Sequence, residues 1–168
     1  MIFIDDYFRR TWIYCLKAKD EVFGCFQEFK ALVENQTRKK IKVLRSENGG
    51  KYTSNEFKDF CKEVGIEKEM VVLDNLQRNG VVERKNMSIV EVAKAMIHYK
   101  DLPMFLWVEA CNTTVYLQNR GPHKVVEDMT PKEAFIGVKS EVSHLCIFGS
   151  LLYDHIPSEK RTKLEPSS

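Results

Sequence analysis

Residues 41–55 read IKVLRSENGGKYTSN, and this stretch decides the fold. The short apolar run IKVLRS has the aliphatic and β-branched content of a buried strand. It runs into Glu47-Asn48-Gly49-Gly50, where an amide and paired glycines mark a turn. Past the turn, Thr53 and Glu56 are spaced as a capping box, each side chain answering a free backbone N–H at a helix start. Phe57, Phe60, Cys61 and Val64 then recur at helical spacing, and Gly65 supplies a helix end. Strand, turn and helix in succession are the unit of a layered α/β protein, and they leave one carboxylate, Glu47, at the open end of the strand.

Upstream, MIFIDDY (1–7) and TWIYCLK (11–17) are β-prone segments on either side of Phe8-Arg9-Arg10, which predicts an antiparallel hairpin. Val22, Phe26, Phe29 and Val33 predict an amphipathic helix over Lys19 to Asn35. Downstream, Ile66 to Leu73 predicts a strand, Asp74 to Asn79 a polar connection, and Gly80 to Tyr99 a long helix. That helix is expected to turn Val82, Ile89, Val92, Ala93 and Met96 inward. Pro103 opens another helix, carrying Phe105, Leu106, Trp107, Val115 and Leu117. From Gly121 the pattern weakens to a short TPKEAF helix (130–135), loops and a candidate strand FGSLLY (148–153).

The chain's 168 residues suit one domain with a sizeable core, and its 43% hydrophobic and 30% charged content is that of an ordinary globular protein. A net charge of +2, with acids and bases interspersed, excludes strong nucleic-acid binding by overall charge alone. The five cysteines form no CxxC pair and the four histidines lack zinc-site spacing, so free thiols and no zinc site are expected. No apolar run approaches the ~20 residues of a membrane helix, so no membrane partner is expected.

Two acids stand out by position. Glu47 follows a strand, Glu83 falls in the first turn of the predicted long helix, and thirty-five residues separate them. Carboxylates from a strand end and a helix start can converge on a divalent metal, and two-metal phosphoryl transfer depends on such convergence. Hard oxygen donors without histidine or cysteine suit magnesium. On these residues alone, Glu83 reads first as helix-dipole or cap chemistry and Glu47 as a structural turn residue.

The longer words decide between these readings. FIDDYFRRTWIYCLKAKDEVF (3–23), VLRSENGGKYTSNEFKDFC (43–61), LQRNGVVERKN (76–86), TPKEAFIG (130–137), HLCIFGS (144–150) and HIPSEKRTKLEPSS (155–168) follow one another in a fixed order. Together they resemble the integrase region of Copia-type retrotransposon Pol polyproteins from one end of the chain to the other. The resemblance implies a ribonuclease H-like fold, a mixed sheet flanked by helices. It implies a core over 1–120 and an irregular post-core extension over 121–168. It also implies Mg²⁺ or Mn²⁺ as cofactor, and joining of element ends to target DNA through two aspartates and a glutamate. Homo-oligomers and nuclear work on chromosomal DNA come with it.

By that resemblance Glu83 matches the third catalytic acid and metal ligand, and Glu47 the second. Asn48, Gly49 and Gly50 match the turn after the second acid; Asn79 and Gly80 match the loop and helix start before the third. Arg78, Arg84 and Lys85 are expected to meet DNA, the last two through phosphate. Two departures bear on activity. The family has aspartate at position 47, and glutamate moves the carboxylate by roughly one C–C bond. Magnesium's strict octahedral geometry tolerates that poorly.

The family's first aspartate lies on the strand before the FIDDY strand, and this sequence starts in the FIDDY strand itself. The expected fold therefore has its first, central strand missing, with two unpaired sheet edges and poor stability alone. Asp5 and Asp6 match a non-catalytic pair and read as a hairpin corner beside Arg9 and Arg10. The leading expectation is an integrase-core fragment, catalytically inactive in this copy. The alternatives are a domesticated non-catalytic DNA-binding or dimer-forming module, or a pseudogene product without a role.

Overall fold

Ile2–Ile4 (β1) and Thr11–Ile13 (β2) form the expected hairpin in the protein's structure, a computed structural model, with Phe3 opposite Trp12. The structure describes residues 1–47, 54–71 and 76–152, and for 47, 70, 71 and 76–79 the backbone alone. At the hairpin corner the Asp5 carboxylate accepts the N–H groups of Tyr7 at 3.2 Å and Phe8 at 2.6 Å. That is a side chain closing a turn on its own backbone.

Helix α1 (Glu21–Thr37) buries Val22, Cys25, Phe26, Phe29 and Val33, one face of the expected stripe. Phe29 stacks on Phe3 with ring centroids 4.0 Å apart, which fixes the hairpin against the helix. Strand β3 (Val43–Glu47), helix α2 (Asn55–Glu63) and strand β4 (Glu67–Val71) form a strand–helix–strand unit. The two strands pair in parallel, from Val43 beside Glu67 to Glu47 beside Val71. Phe57 and Cys61 of α2 join Leu44, Ile66 and the α1 aromatics in one buried cluster. Helix α2 is capped by Ser54, whose hydroxyl accepts the Phe57 N–H at 3.2 Å, so the cap falls one residue after the predicted Thr53. The third helical position is then Phe57, which has no side-chain acceptor to complete the box expected from Glu56. Gly65, at φ +72°, ends the helix as expected.

A second buried cluster joins α3 (Leu76–Tyr99) to α4 (Trp107–Gln118), which follows a 3₁₀ turn at Met104–Leu106. Ile89, Ala93 and Ile97 of α3 meet Ala110, Cys111 and Val115 of α4. The inward set therefore differs from the expected one: Val82 and Val92 are exposed and Met96 is half-buried. Val82 lies on the inward face but two turns before Ile89, in the half of α3 that contributes nothing to this cluster. Phe105 likewise stands 80% exposed.

Helix α3 begins four residues before the expected Gly80, so 76–79 are helix rather than connection. Residues 74 and 75 lie outside the described residues. The candidate strand at 148–153 does not form over its described part, 148–152. Beyond residue 120 the described chain is irregular except for α5 (Pro131–Ile136) and an isolated bridge between His123 and Val126.

Helix α5 carries a complete capping box between Thr130 and Glu133. The Glu133 carboxylate accepts the Thr130 N–H at 2.9 Å and the Ser140 N–H at 2.8 Å, and these bonds hold its pKa below the usual range. Asn119, just past α4, bonds the backbone of Thr11 in both directions, at 2.9 and 2.7 Å. It extends the β2 ladder with a side chain and locks α4 to the hairpin.

Among the described residues the hairpin and the β3–β4 pair are two separate two-stranded sheets. Arg45 connects them, pairing with Asp6 at the hairpin corner and with Glu69 of β4 at 2.8 Å. No helix among the described residues is long and apolar enough to cross a membrane.

Candidate functional site

Position 47 is the last residue of β3, hydrogen-bonded in parallel register beside Val71, so its backbone sits at the carboxyl end of the two-stranded parallel sheet. Ligand sites in open α/β sheets collect at that end. The two-residue period of a strand puts position 47 on the Arg45 side, opposite the buried Leu44. The side chain of Glu47, and all of Asn48, Gly49 and Gly50, lie outside what the structure describes.

Glu83 is the eighth residue of α3, in its third turn, and it is exposed. The expected position in the first turn is corrected by the earlier start of the helix. That correction removes the helix-dipole explanation, because the dipole effect fades within the first turn. No ion pair holds Glu83 among the described residues. It lies on a part of α3 that also exposes Met87, one turn on.

Arg84 and Lys85, expected to act together, diverge because successive helix residues point about 100° apart. Arg84 is exposed, and its guanidinium lies back over Gly80: a Cβ built there would sit 3.3 Å from an Arg84 terminal nitrogen. Lys85 is one turn before Ile89 and continues the inward stripe, so it is half-buried. Burial lowers the pKa of Lys85. His123 is lowered by burial first, then by the nearby charges of Lys85 and Arg9. Arg78 and Asn79 are helical by backbone and their side chains are not described.

The nearer alternatives for catalytic acids resolve into structure. Asp5 closes the hairpin turn, and Asp6 pairs with Arg9 at 3.7 Å and with Arg45. Among the described residues no group of three or more histidine, cysteine, aspartate or glutamate side chains could hold a metal ion. The donor chemistry of two glutamates suits a hard cation, but the described side chains do not by themselves make a metal site.

Sequence reasoning missed a second group of polar residues, where Arg10, Arg120 and Lys132 line one cleft. The only signal in the sequence was the Arg9-Arg10 pair, which reads as a turn.

No protein-family profile matches the chain. It is 45% identical over 166 residues to the retrovirus-related Pol polyprotein from transposon TNT 1-94 of Nicotiana tabacum, which covers 99% of this chain and 12% of that protein. It is 33% identical over 168 residues to the corresponding polyprotein from transposon RE2 of Arabidopsis thaliana, covering all of this chain and 11% of that one. The chain thus spans about a tenth of the length of these curated relatives. Among solved structures it is similar to the HTLV-2 integrase catalytic core domain in complex with magnesium, in trimeric form. That likeness has a TM-score of 0.61 at 20% identity and covers 79% of this chain and 80% of the other. At that identity it establishes the mixed α/β integrase-core fold.

Proposed function

Since this chain corresponds to the integrase catalytic core region of Copia/Ty1-type retrotransposon Pol polyproteins, we propose that its ancestral work is DNA integration by strand transfer and that this chain by itself is catalytically inactive. The observation that carries the site assignment is Glu83: an exposed carboxylate in the third turn of a helix, past the reach of the helix dipole and with no capping or ion-pair role among the described residues. A parallel strand ends at position 47, the other acid of the resemblance.

Glu47 and Glu83 are the residues that would hold Mg²⁺ or Mn²⁺. When bound, such an ion lowers the cost of charge developing on phosphoryl oxygens. Arg84 and Lys85, with Arg78 and Asn79 between one and two turns earlier, would lie along the DNA, the three basic side chains neutralising phosphate. Gly80 keeps the helix surface low beneath Arg84. The HTLV-2 integrase catalytic core domain in complex with magnesium is described in a trimeric and a dimeric form, and a homo-oligomer of this chain is part of the same proposal. So is nuclear localisation, where chromosomal DNA is.

Inactivity follows from geometry rather than charge. Glutamate at 47 carries the right charge one methylene too far out, and a displacement of about 1 Å in reacting geometry costs about a hundredfold in rate.

The test is strand transfer from end-processed donor DNA in Mn²⁺, beside Glu83→Gln. No product above the Glu83→Gln background is expected. Product that disappears in Glu83→Gln would overturn inactivity. DNA retained without product, and released steeply by salt, would favour the domesticated DNA-binding module.

A further inference from the structure

A cleft of about 360 Å³ opens between the hairpin, the end of α4 and the start of α5. Each element brings one cation to it: Arg10 before β2, Arg120 after α4, and Lys132 in α5. The fold holds all three firmly. The Arg10 guanidinium lies 4.9 Å from the Trp12 ring and 4.8 Å from that of Phe135. Arg120 lies 3.2 Å from the Tyr116 ring centroid and donates to the Tyr116 carbonyl at 3.1 Å. The Lys132 N–H is fixed to the carbonyl of Asn119 at 3.0 Å, and the Asn119 side chain is itself bonded to Thr11.

These cations lack anions. None of the three makes an ion pair among the described residues. The adjacent carboxylate, Glu133, is engaged by the N–H groups of Thr130 and Ser140. Arg10 Nη1, Arg120 Nε and Trp12 Nε1 are out of water with no hydrogen-bond partner among the described residues. Burial, then the charge of Arg120, lowers the pKa of Arg10; burial, then Arg120 and Arg10, lowers that of Lys132. Stacked aromatic faces offset part of this cost, but a fold that gathers three cations beside one carboxylate already engaged by backbone N–H groups is set to receive negative charge from outside.

Three cations lining one cleft call for more than one negative charge. A lone carboxylate would answer one guanidinium and leave two cations unmatched. A nucleic-acid strand repeats its negative charge along the backbone and so offers several phosphodiesters to one cleft. Arginine forks match phosphate oxygens in pairs, and lysine adds a point charge. Positive charge also continues toward α3, since Arg9 and Lys85 both act on His123.

We propose that this cleft is a second DNA contact, in which Arg10, Arg120 and Lys132 hold the phosphodiester backbone without reading base sequence. It rests on the DNA-binding reading above, and among the described residues neither Glu83 nor Arg84 lines it.

Binding of a short fluorescent duplex to the whole chain is measured by anisotropy across a salt series. The variants are Arg120→Gln, Lys132→Gln, Arg84→Gln and, as a surface control on α2, Lys58→Gln. Arg120→Gln and Lys132→Gln should each weaken binding about tenfold, the scale of a lost charged hydrogen bond. Each should also lower the slope of log affinity against log salt by about 0.9, equally for unrelated duplex sequences. Lys58→Gln should leave both unchanged. Trp12 emission reports whether the cleft keeps its packing, and Lys132→Gln, which removes no aromatic stack, serves if Arg120→Gln does not fold.

Unchanged affinity and slope in both cleft variants, with Arg84→Gln weakened, would overturn this contact and leave the DNA-binding reading standing. Failure of the parent chain to retain any duplex would overturn the reading and the cleft together.

Discussion

At the scale of single residues, the informative fact about Glu83 is what it does not do. A glutamate near a helix start usually answers free N–H groups, and the sequence alone left that reading open. The helix starts at Leu76, two turns before Glu83, and the explanation goes with it. Gly80 is the neighbour to test, because it sits inside the helix at a position where glycine costs stability. Gly80→Ala should raise stability by about 0.5–1 kcal/mol in urea unfolding, if the flexible Arg84 guanidinium swings aside. A loss of stability would mean that the Arg84–Gly80 contact is rigid. The same substitution should weaken duplex binding through Arg84, since that side chain has to leave its place over the helix.

Among the elements, α3 divides into a packed half and an open half. Ile89, Ala93 and Ile97 press on α4, whereas Val82, on the same face, is 45% exposed. Ile89→Ala should cost about 2–5 kcal/mol and Val82→Ala less than about 0.5 kcal/mol, both by urea unfolding. Comparable costs would show that the amino-terminal half of α3 is covered after all.

This division explains what the sequence could and could not reveal. Phe26, Phe29 and Val33 were legible because one helix face meets one core. The hairpin, the β3–α2–β4 unit and the α5 cap were legible from local chemistry. Val82 was misread because periodicity reports a face but not how far along the helix a partner reaches. The partial burial of Lys85 was hidden for the converse reason: four residues before Ile89, it continues a buried stripe that its charge conceals. The start of α3 was misplaced because the polar residues before Gly80 read as a connection. The Arg10–Arg120–Lys132 cleft was invisible, since residues 10, 120 and 132 meet only once Asn119 has tied α4 to β2.

At the scale of the whole molecule, the described strands form two small sheets linked by the Arg45 ion pairs rather than by backbone hydrogen bonds. Exposed ion pairs contribute little, about 0–1 kcal/mol each, so the two halves are coupled chiefly by the packing of the hairpin on α1, α3 and α4. We propose that the end of β3 and the third turn of α3 serve one cation site, with Glu47 and Glu83 as its carboxylates. Titration of the whole chain with Mn²⁺, followed by the paramagnetic signal of the free ion, tests it without requiring turnover. Weak binding is expected for the parent chain, weakened about tenfold or more by Glu83→Gln and strengthened by Glu47→Asp, which restores the shorter carboxylate. Mn²⁺ affinity indifferent to both substitutions would contradict the claim.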